Sequence, residues 1–182
     1  MIATLQRLFA KLMFYPSLGY HDLMCAIGGW HRWDWLDDTV LLGRMPRRRE
    51  IEDLHSEGIG AIINMCDEFA GHITQLTEFN IRQLRLPTID LVCPTIENLR
   101  RGVEFIDRCS NEQIKVYIHC KAGRGRAATM ALCYLIAKRR ICAEDAYTEM
   151  KSARVQVDRN LFKRQPVREF EESVRGGHPH SS

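Results

Sequence analysis

Residues 117–129 read YIHCKAGRGRAAT. The β-type run of Ile114, Val116 and Ile118 stops at Cys120, and past Arg126 the residues Ala127, Ala128, Met130, Ala131 and Leu132 read as a helix over 126–139. The junction between that strand and that helix holds a thiol, Gly123 and Gly125, and a guanidinium six positions after the thiol. A tight turn through two glycines aims successive backbone N–H groups into one concavity, an anion nest. The helix that starts near Arg126 adds its positive end and its free amides. Arg126 can grip two phosphate oxygens with its planar fork, which lysine cannot do. The loop formed by His119, Cys120, Lys121, Ala122, Gly123, Arg124, Gly125 and Arg126 therefore fits a tetrahedral dianion.

A cysteine at a helix N-terminus beside cations can have its pKa lowered to roughly 3.5–7.5. On that ground Cys120 is read as a thiolate aimed at the bound phosphorus, a nucleophile that works through a phosphocysteine. The loop itself ionises the thiol, so His119 is not needed as the base. It is expected to hydrogen-bond backbone near the cysteine and hold the loop's shape. The duller reading is a buried cysteine followed by a solvated Lys-Arg-Arg cluster, which the two glycines and the spacing to Arg126 argue against. A nucleotide-binding loop fits less well, since no GxxxxGKS or GxxxxGKT occurs.

A phosphomonoester that leaves as an alkoxide needs a proton, and a carboxylic acid within reach can supply it and then activate water. Asp90 is the candidate. It follows the alternating run of residues 81–86, which places it on a loop at the same sheet edge as Cys120. The alternative roles for Asp90 are a solvated loop aspartate or a helix cap. Asp107 is a rival acid, late in a helix with a face to water.

The rest of the chain alternates strands and helices. Residues 40–42 and 59–65 read as strands, and Pro46 opens a helix to about Glu57 with Ile51 and Leu54 facing in. Pro94-Thr95 caps a helix carrying Ile96, Leu99, Val103 and Ile106 on one face. Residues 143–153 form a further helix with Ala146, Met150 and Ala153 inward, and residues 161–174 close the fold as another. The fold class is α/β, a central mostly parallel sheet flanked by helices, with the ligand site beyond the carboxyl ends of the strands. The domain division is a segment 1–36, a catalytic domain 37–174 and a tail 175–182.

The first twenty residues carry Arg7 and Lys11 and no acid, with Ile2, Leu5, Leu8, Phe9, Leu12 and Met13 at helical spacing. Such a segment can be a transit sequence, an interfacial anchor or a helix packed on the domain. The tryptophans gather in WHRWDW (30–35), as core or at a membrane interface. A net charge of +3 suits a small anionic substrate or an anionic surface and does not argue for nucleic acid. The seven cysteines form no CxxC pair, so neither zinc nor a redox dithiol is supported, and no metal or cofactor is implied. Cys66, Cys93 and Cys109 read as ordinary reduced thiols in an intracellular compartment.

HCKAGRGR (119–126) matches the HCxxGxxR signature, and the chain is identified as resembling the cysteine-dependent protein tyrosine and dual-specificity phosphatases. Similarity extends through FYPSLGYHDL (14–23), DDTVLLGRMPRR (37–48), INMCDE (63–68), LRLPTIDL (84–91), PTIENLRRGVEFI (94–106) and YIHCKAGRGRAATMALCYLIAKR (117–139), which look like the mitochondrial branch that acts on phosphatidylglycerophosphate. The resemblance implies the dual-specificity fold, with Asp90 on the acid loop and a phospholipid phosphate as substrate. It also implies Lys121 and Arg124 toward the headgroup, peripheral membrane contact, a mitochondrial inner-membrane address (cytoplasmic in a bacterial relative) and a monomer. A dual-specificity protein phosphatase and a phosphate-binding pseudophosphatase are the alternatives. The family usually carries Ser or Thr after the signature arginine, where this chain has Ala127, so slower breakdown of the phosphocysteine is expected.

Overall fold

The computed structural model describes Gly19 and residues 23–176. The basic segment at the N-terminus lies almost wholly outside the described residues, as does most of the tail. In chain order the elements are β1 (Trp33–Trp35), β2 (Val40–Arg44), α1 (Glu50–Ser56), β3 (Ile59–Cys66), α2 (Ile73–Glu78), β4 (Arg82–Thr88), α3 (Ile96–Asn111), β5 (Lys115–Cys120), α4 (Arg126–Arg139), α5 (Ala143–Ala153), a 3₁₀ turn (Leu161–Lys163) and α6 (Gln165–Gly176).

The sheet runs β1-β2-β5-β3-β4, with β1 antiparallel to β2 and all other neighbours parallel. Side chains on a strand alternate between faces, and here both faces are covered. Val40 and Leu42 of β2 and Val116 and Ile118 of β5 join the larger core with α3, α4, α5 and α6. Leu41 and Tyr117 turn to the other face, where Ile51 and Leu54 of α1 and Leu76 of α2 cover them. The helix α4 is buried from Arg126 to Ile136, so the helix that starts at the signature arginine is the central one of its layer. Thr95 caps α3 by accepting a hydrogen bond from the Asn98 amide.

Several expectations need correction. The stretch after Pro46 becomes helical only at Glu50, where the Glu50 carboxylate accepts from the Arg47 amide at 2.7 Å and closes a turn first. Ala153 is exposed, because α5 ends there and only Ala143, Ala146 and Met150 of its face are buried. Residues 161–174 are not one helix: the 3₁₀ turn ends at Arg164, whose backbone is extended, and α6 starts afresh at Gln165. The short helix α2 and the edge strand β1 went unread. Trp33 and Trp35 pack against the second core, with Trp33 edge-on to Tyr117 at 6.1 Å. The pairing of β1 with β2 thus carries residues 33–35 of the proposed N-terminal segment into the sheet of the catalytic domain.

Candidate active site

Cys120 ends β5 at the middle of the sheet and is 3% exposed. The loop after it is shaped by what its carbonyls do. Lys121 O accepts from Met45 N at 3.1 Å, and Arg124 O accepts from Asp158 N at 3.1 Å. Arg154 donates to Gly123 O through Nε at 3.1 Å and to Ala122 O through Nη2 at 3.4 Å. Gly125 O accepts from both the amide and the hydroxyl of Thr129, each at 2.8 Å. In a planar trans peptide the N–H points opposite to the preceding C=O. With the carbonyls of residues 121–125 all engaged by the surrounding protein, the amides of residues 122–126 turn the other way, into the concavity in front of the thiol.

That concavity is a cavity of about 300 Å³ lined by Asp90, Leu91, Val92, Cys120, Lys121, Ala122, Arg124, Gly125, Arg126, Asp158 and Arg164. Among the sequence-predicted residues, Cys120, Arg126, Asp90, Lys121, Ala122, Arg124 and Gly125 therefore meet in one place. Gly123 sits behind the loop, against the Gly43 and Arg44 backbone, and Asp107 is exposed on α3 and takes no part in the lining.

Arg126 is buried and held on three sides. Its Nη1 donates to Glu68 Oε2 at 2.8 Å and to Thr88 O at 2.7 Å, and its Nη2 lies 2.8 Å from Glu68 Oε1 and 2.9 Å from Asp90 Oδ1. Burial works against its charge, but the hydrogen bonds it donates to Glu68 and the negative charge around it outweigh that and push the guanidinium pKa up. Glu68 was missed in the sequence. It sits on the loop after β3, whose path Asn64 fixes by accepting from Cys66 N and donating to Phe69 O, both at 2.9 Å.

Asp90 lies between two cations, paired with Arg126 and with Lys121. Burial raises its carboxyl, but Arg126 first and then Lys121 hold it below the ordinary carboxylate range. Lys121 is 6% exposed, so it is a wall of the pocket and not a solvated rim cation. Arg124 stays near the rim, its guanidinium 4.8 Å from the Trp30 ring centre and its Nε bonded to Gln156 O at 2.9 Å.

Arg154 was also missed. It is buried, and besides the two loop carbonyls it reaches Asp34 Oδ2 at 2.5 Å and His31 O at 3.3 Å. A lone arginine at the end of a helix gives no sequence signal; only the fold shows that it braces the loop from behind. At position 127 the alanine methyl is buried, and the nearby Thr129 hydroxyl is spent on Gly125 O and on Arg164 Nη1 at 2.6 Å.

His119 is buried, stacked on Tyr117 at 5.8 Å, with Nδ1 3.4 Å from Cys120 O. Desolvation pushes its pKa down to about 3, so the ring is neutral. The folded value is depressed relative to an unfolded value near 6.5. The stability this neutrality contributes is therefore complete above pH ~6.5 and lost as pH falls toward the folded value. Urea midpoints between pH 7 and 4 should fall with up to one proton taken up on unfolding, about 1.4 kcal/mol per pH unit at most. His119→Gln should flatten that slope by the same proton; an unchanged slope would show that the ring is not protected.

A thiol-bearing loop at the carboxyl end of a central parallel strand, facing an arginine fork and a carboxyl, defines an enzyme class: phosphoric monoester hydrolases that act through cysteine. The dual specificity phosphatase catalytic domain matches residues 40–173, and the chain belongs to that family. The chain is 33% identical over 182 residues to the phosphatidylglycerophosphatase and protein-tyrosine phosphatase 1 of Rattus norvegicus, covering 94% of each chain. It is 30% identical over 164 residues to the phosphatidylglycerophosphate phosphatase PTPMT2 of Arabidopsis thaliana, covering 88% of this chain and 72% of that one. Among solved structures, PTPMT1 in complex with PI(5)P superposes with a TM-score of 0.74 at 28% identity, covering 80% of this chain and 98% of that one.

Proposed function

We propose that this chain removes the terminal phosphate of phosphatidylglycerophosphate to give phosphatidylglycerol, upstream of cardiolipin, through a phosphocysteine on Cys120. The observation that carries the reading is the outward set of carbonyls from Lys121 to Gly125, which leaves a ring of amides and the Arg126 fork around the space before Cys120. The names of the relatives support the lipid substrate, and so does the rim, where Leu91 is 85% exposed beside Val92. The mitochondrial inner membrane as the place of action rests on the family resemblance. No helix among the described residues is long and apolar enough to cross a membrane.

In this mechanism the substrate phosphoryl group enters the ring of amides and takes the Arg126 fork. The Cys120 sulfur attacks phosphorus in line, the P–O bond to the glycerol breaks, and Asp90 gives its proton to the departing oxygen. Water then attacks phosphorus, Asp90 takes the water's proton, and the P–S bond breaks to release phosphate. Arg126 and Lys121 beside Asp90 favour its ionised form. A bound phosphoryl group replaces it on Arg126 and brings negative charge beside it, and both changes favour the protonated carboxyl that the first step needs.

Asp90→Asn should lower kcat on phosphatidylglycerophosphate by about 10²–10³. It should lower turnover of p-nitrophenyl phosphate far less, because nitrophenolate leaves without a proton. Equal losses on both substrates would remove Asp90 from the acid role. The substrate itself is tested by comparing kcat/KM on phosphatidylglycerophosphate vesicles and on phosphotyrosine peptides; a wide margin for the peptides would make this a protein phosphatase.

A further inference from the structure

The cavity lining also carries a second cationic centre that the cysteine chemistry does not use. Arg164, 29% exposed, and Arg124, 38% exposed, flank one carboxylate, Asp158, which is 39% exposed. The pairs are long, 3.3 Å from Arg124 Nη2 to Asp158 Oδ1 and 3.8 Å from Arg164 Nη2 to Asp158 Oδ2. Exposed ion pairs without a tight bidentate geometry contribute little to stability. By count the three groups leave one positive charge at the mouth of a pocket for anions.

Their position relative to the loop is fixed. The Thr129 hydroxyl accepts from Arg164 Nη1 at 2.6 Å and donates to Gly125 O at 2.8 Å, which ties this guanidinium to the phosphate loop. Gly125 leaves the room: a Cβ there would stand 2.9 Å from Asp158 Oδ2 and 3.9 Å from Arg164 Nη2. The cluster therefore abuts the amide ring directly.

We propose that Arg164 together with Arg124 forms a second anion subsite that binds the phosphodiester of a substrate whose monoester lies on Cys120, the Asp158 carboxylate holding that place until substrate arrives. This rests on the phospholipid reading above and deepens it. In phosphatidylglycerophosphate one glycerol joins the monoester to the diester, so an anion beside the first is built into the substrate. A diester offers two oxygens in the geometry that an arginine fork matches, which the carboxylate at these distances does not exploit. A phosphotyrosine side chain carries no second phosphate.

The test uses the full chain and two soluble substrates: a short-chain phosphatidylglycerophosphate below its aggregation limit, and glycerol 3-phosphate, which has the monoester alone. The quantity read is the ratio of their kcat/KM values within one preparation, so any loss of folded fraction cancels. Arg164→Gln should lower that ratio about tenfold, the loss of one hydrogen bond to a charged group. Asp158→Asn removes the competing carboxylate and should raise it by about threefold, the size of a half-exposed ion pair. A ratio unchanged in Arg164→Gln, or lowered in Asp158→Asn, would overturn the subsite, and Asp158→Asn decides alone if Arg164→Gln does not fold. If the wild-type enzyme prefers phosphotyrosine peptides, the lipid reading itself fails. If it prefers the lipid while both variants keep its ratio, only the subsite fails.

Discussion

Cys120→Ser should abolish turnover, with a loss of at least ~10⁴ in kcat on any phosphomonoester, a magnitude typical of removing a nucleophile from an intact site. A hydroxyl at this position keeps the shape of the loop, because none of the bonds that turn the carbonyls outward involves the sulfur. Inorganic phosphate should therefore still bind the variant with an affinity near that of the wild type, measured by calorimetry. The wild-type enzyme should carry label covalently after rapid quench from ³²P-substrate, and the serine variant should carry none. Ala127 makes this observable. No hydroxyl stands at position 127, and the Thr129 hydroxyl is engaged elsewhere, so neither is placed to steady the departing thiolate. One missing hydrogen bond to a charged group is worth about 1.5–3 kcal/mol, which slows breakdown ten- to over a hundredfold. Phosphoenzyme should accumulate, and Ala127→Ser should shorten its life. Turnover by Cys120→Ser near the wild-type rate would end the covalent mechanism; no accumulation together with an Ala127→Ser variant of unchanged rate would end the account of Ala127.

What the chain discloses in its sequence and what it discloses only in its fold follow a physical division. Local periodicity and caps are written in neighbouring residues, so α3 with its Thr95 cap, α4 and α5 lie where their patterns placed them. The spacing from Cys120 to Arg126 is local in the same way. Asp90 was reachable because a strand followed by a loop fixes the sheet edge without fixing the partners. What stayed hidden depends on contacts distant in sequence. Glu68 meets Arg126 across 58 positions, and Arg154 meets Asp34 across 120. The strand β1 is only three residues long, too short for its Trp-Asp-Trp alternation to mark it. Lys121 shows the same limit from the other side: the sequence places it at the loop toward the headgroup beside Arg124, and only the fold shows that the pairing with Asp90 draws it inward. The two glycines of the loop differ in what they contact, which no local pattern records.

Gly123→Ala should therefore be far more damaging than Gly125→Ala. Gly123 has φ +66°, a left-handed backbone that costs an L-residue about 1–2 kcal/mol. A Cβ there would also fall well inside 3.0 Å of Gly43 O and 2.9 Å from Arg44 N, atoms of the central strand β2 that cannot swing aside. Those same residues are anchored, since Arg44 O accepts from the Tyr117 hydroxyl at 2.5 Å and Arg44 pairs with the buried Glu50 at 2.8 Å. Relief must come from the loop, which would pull Gly123 O away from Arg154 and rotate the peptide whose N–H faces the phosphate. A displacement of about 1 Å in a positioned group can cost on the order of 10² in rate. We expect kcat/KM to fall by at least that factor, and Tm to fall by about 5–10 °C for a loss of ~2–3 kcal/mol in a chain of this size. Gly125 has φ −104°, and its added methyl would crowd the tip of the Asp158 side chain, which can turn, and stand at an ordinary 3.9 Å from Arg164 Nη2. Gly125→Ala should keep Tm within a few degrees by the same scale and lose much less activity. If the two alanine variants matched in melting temperature and in rate, the packing of the loop against β2 would not be what holds its amides in place.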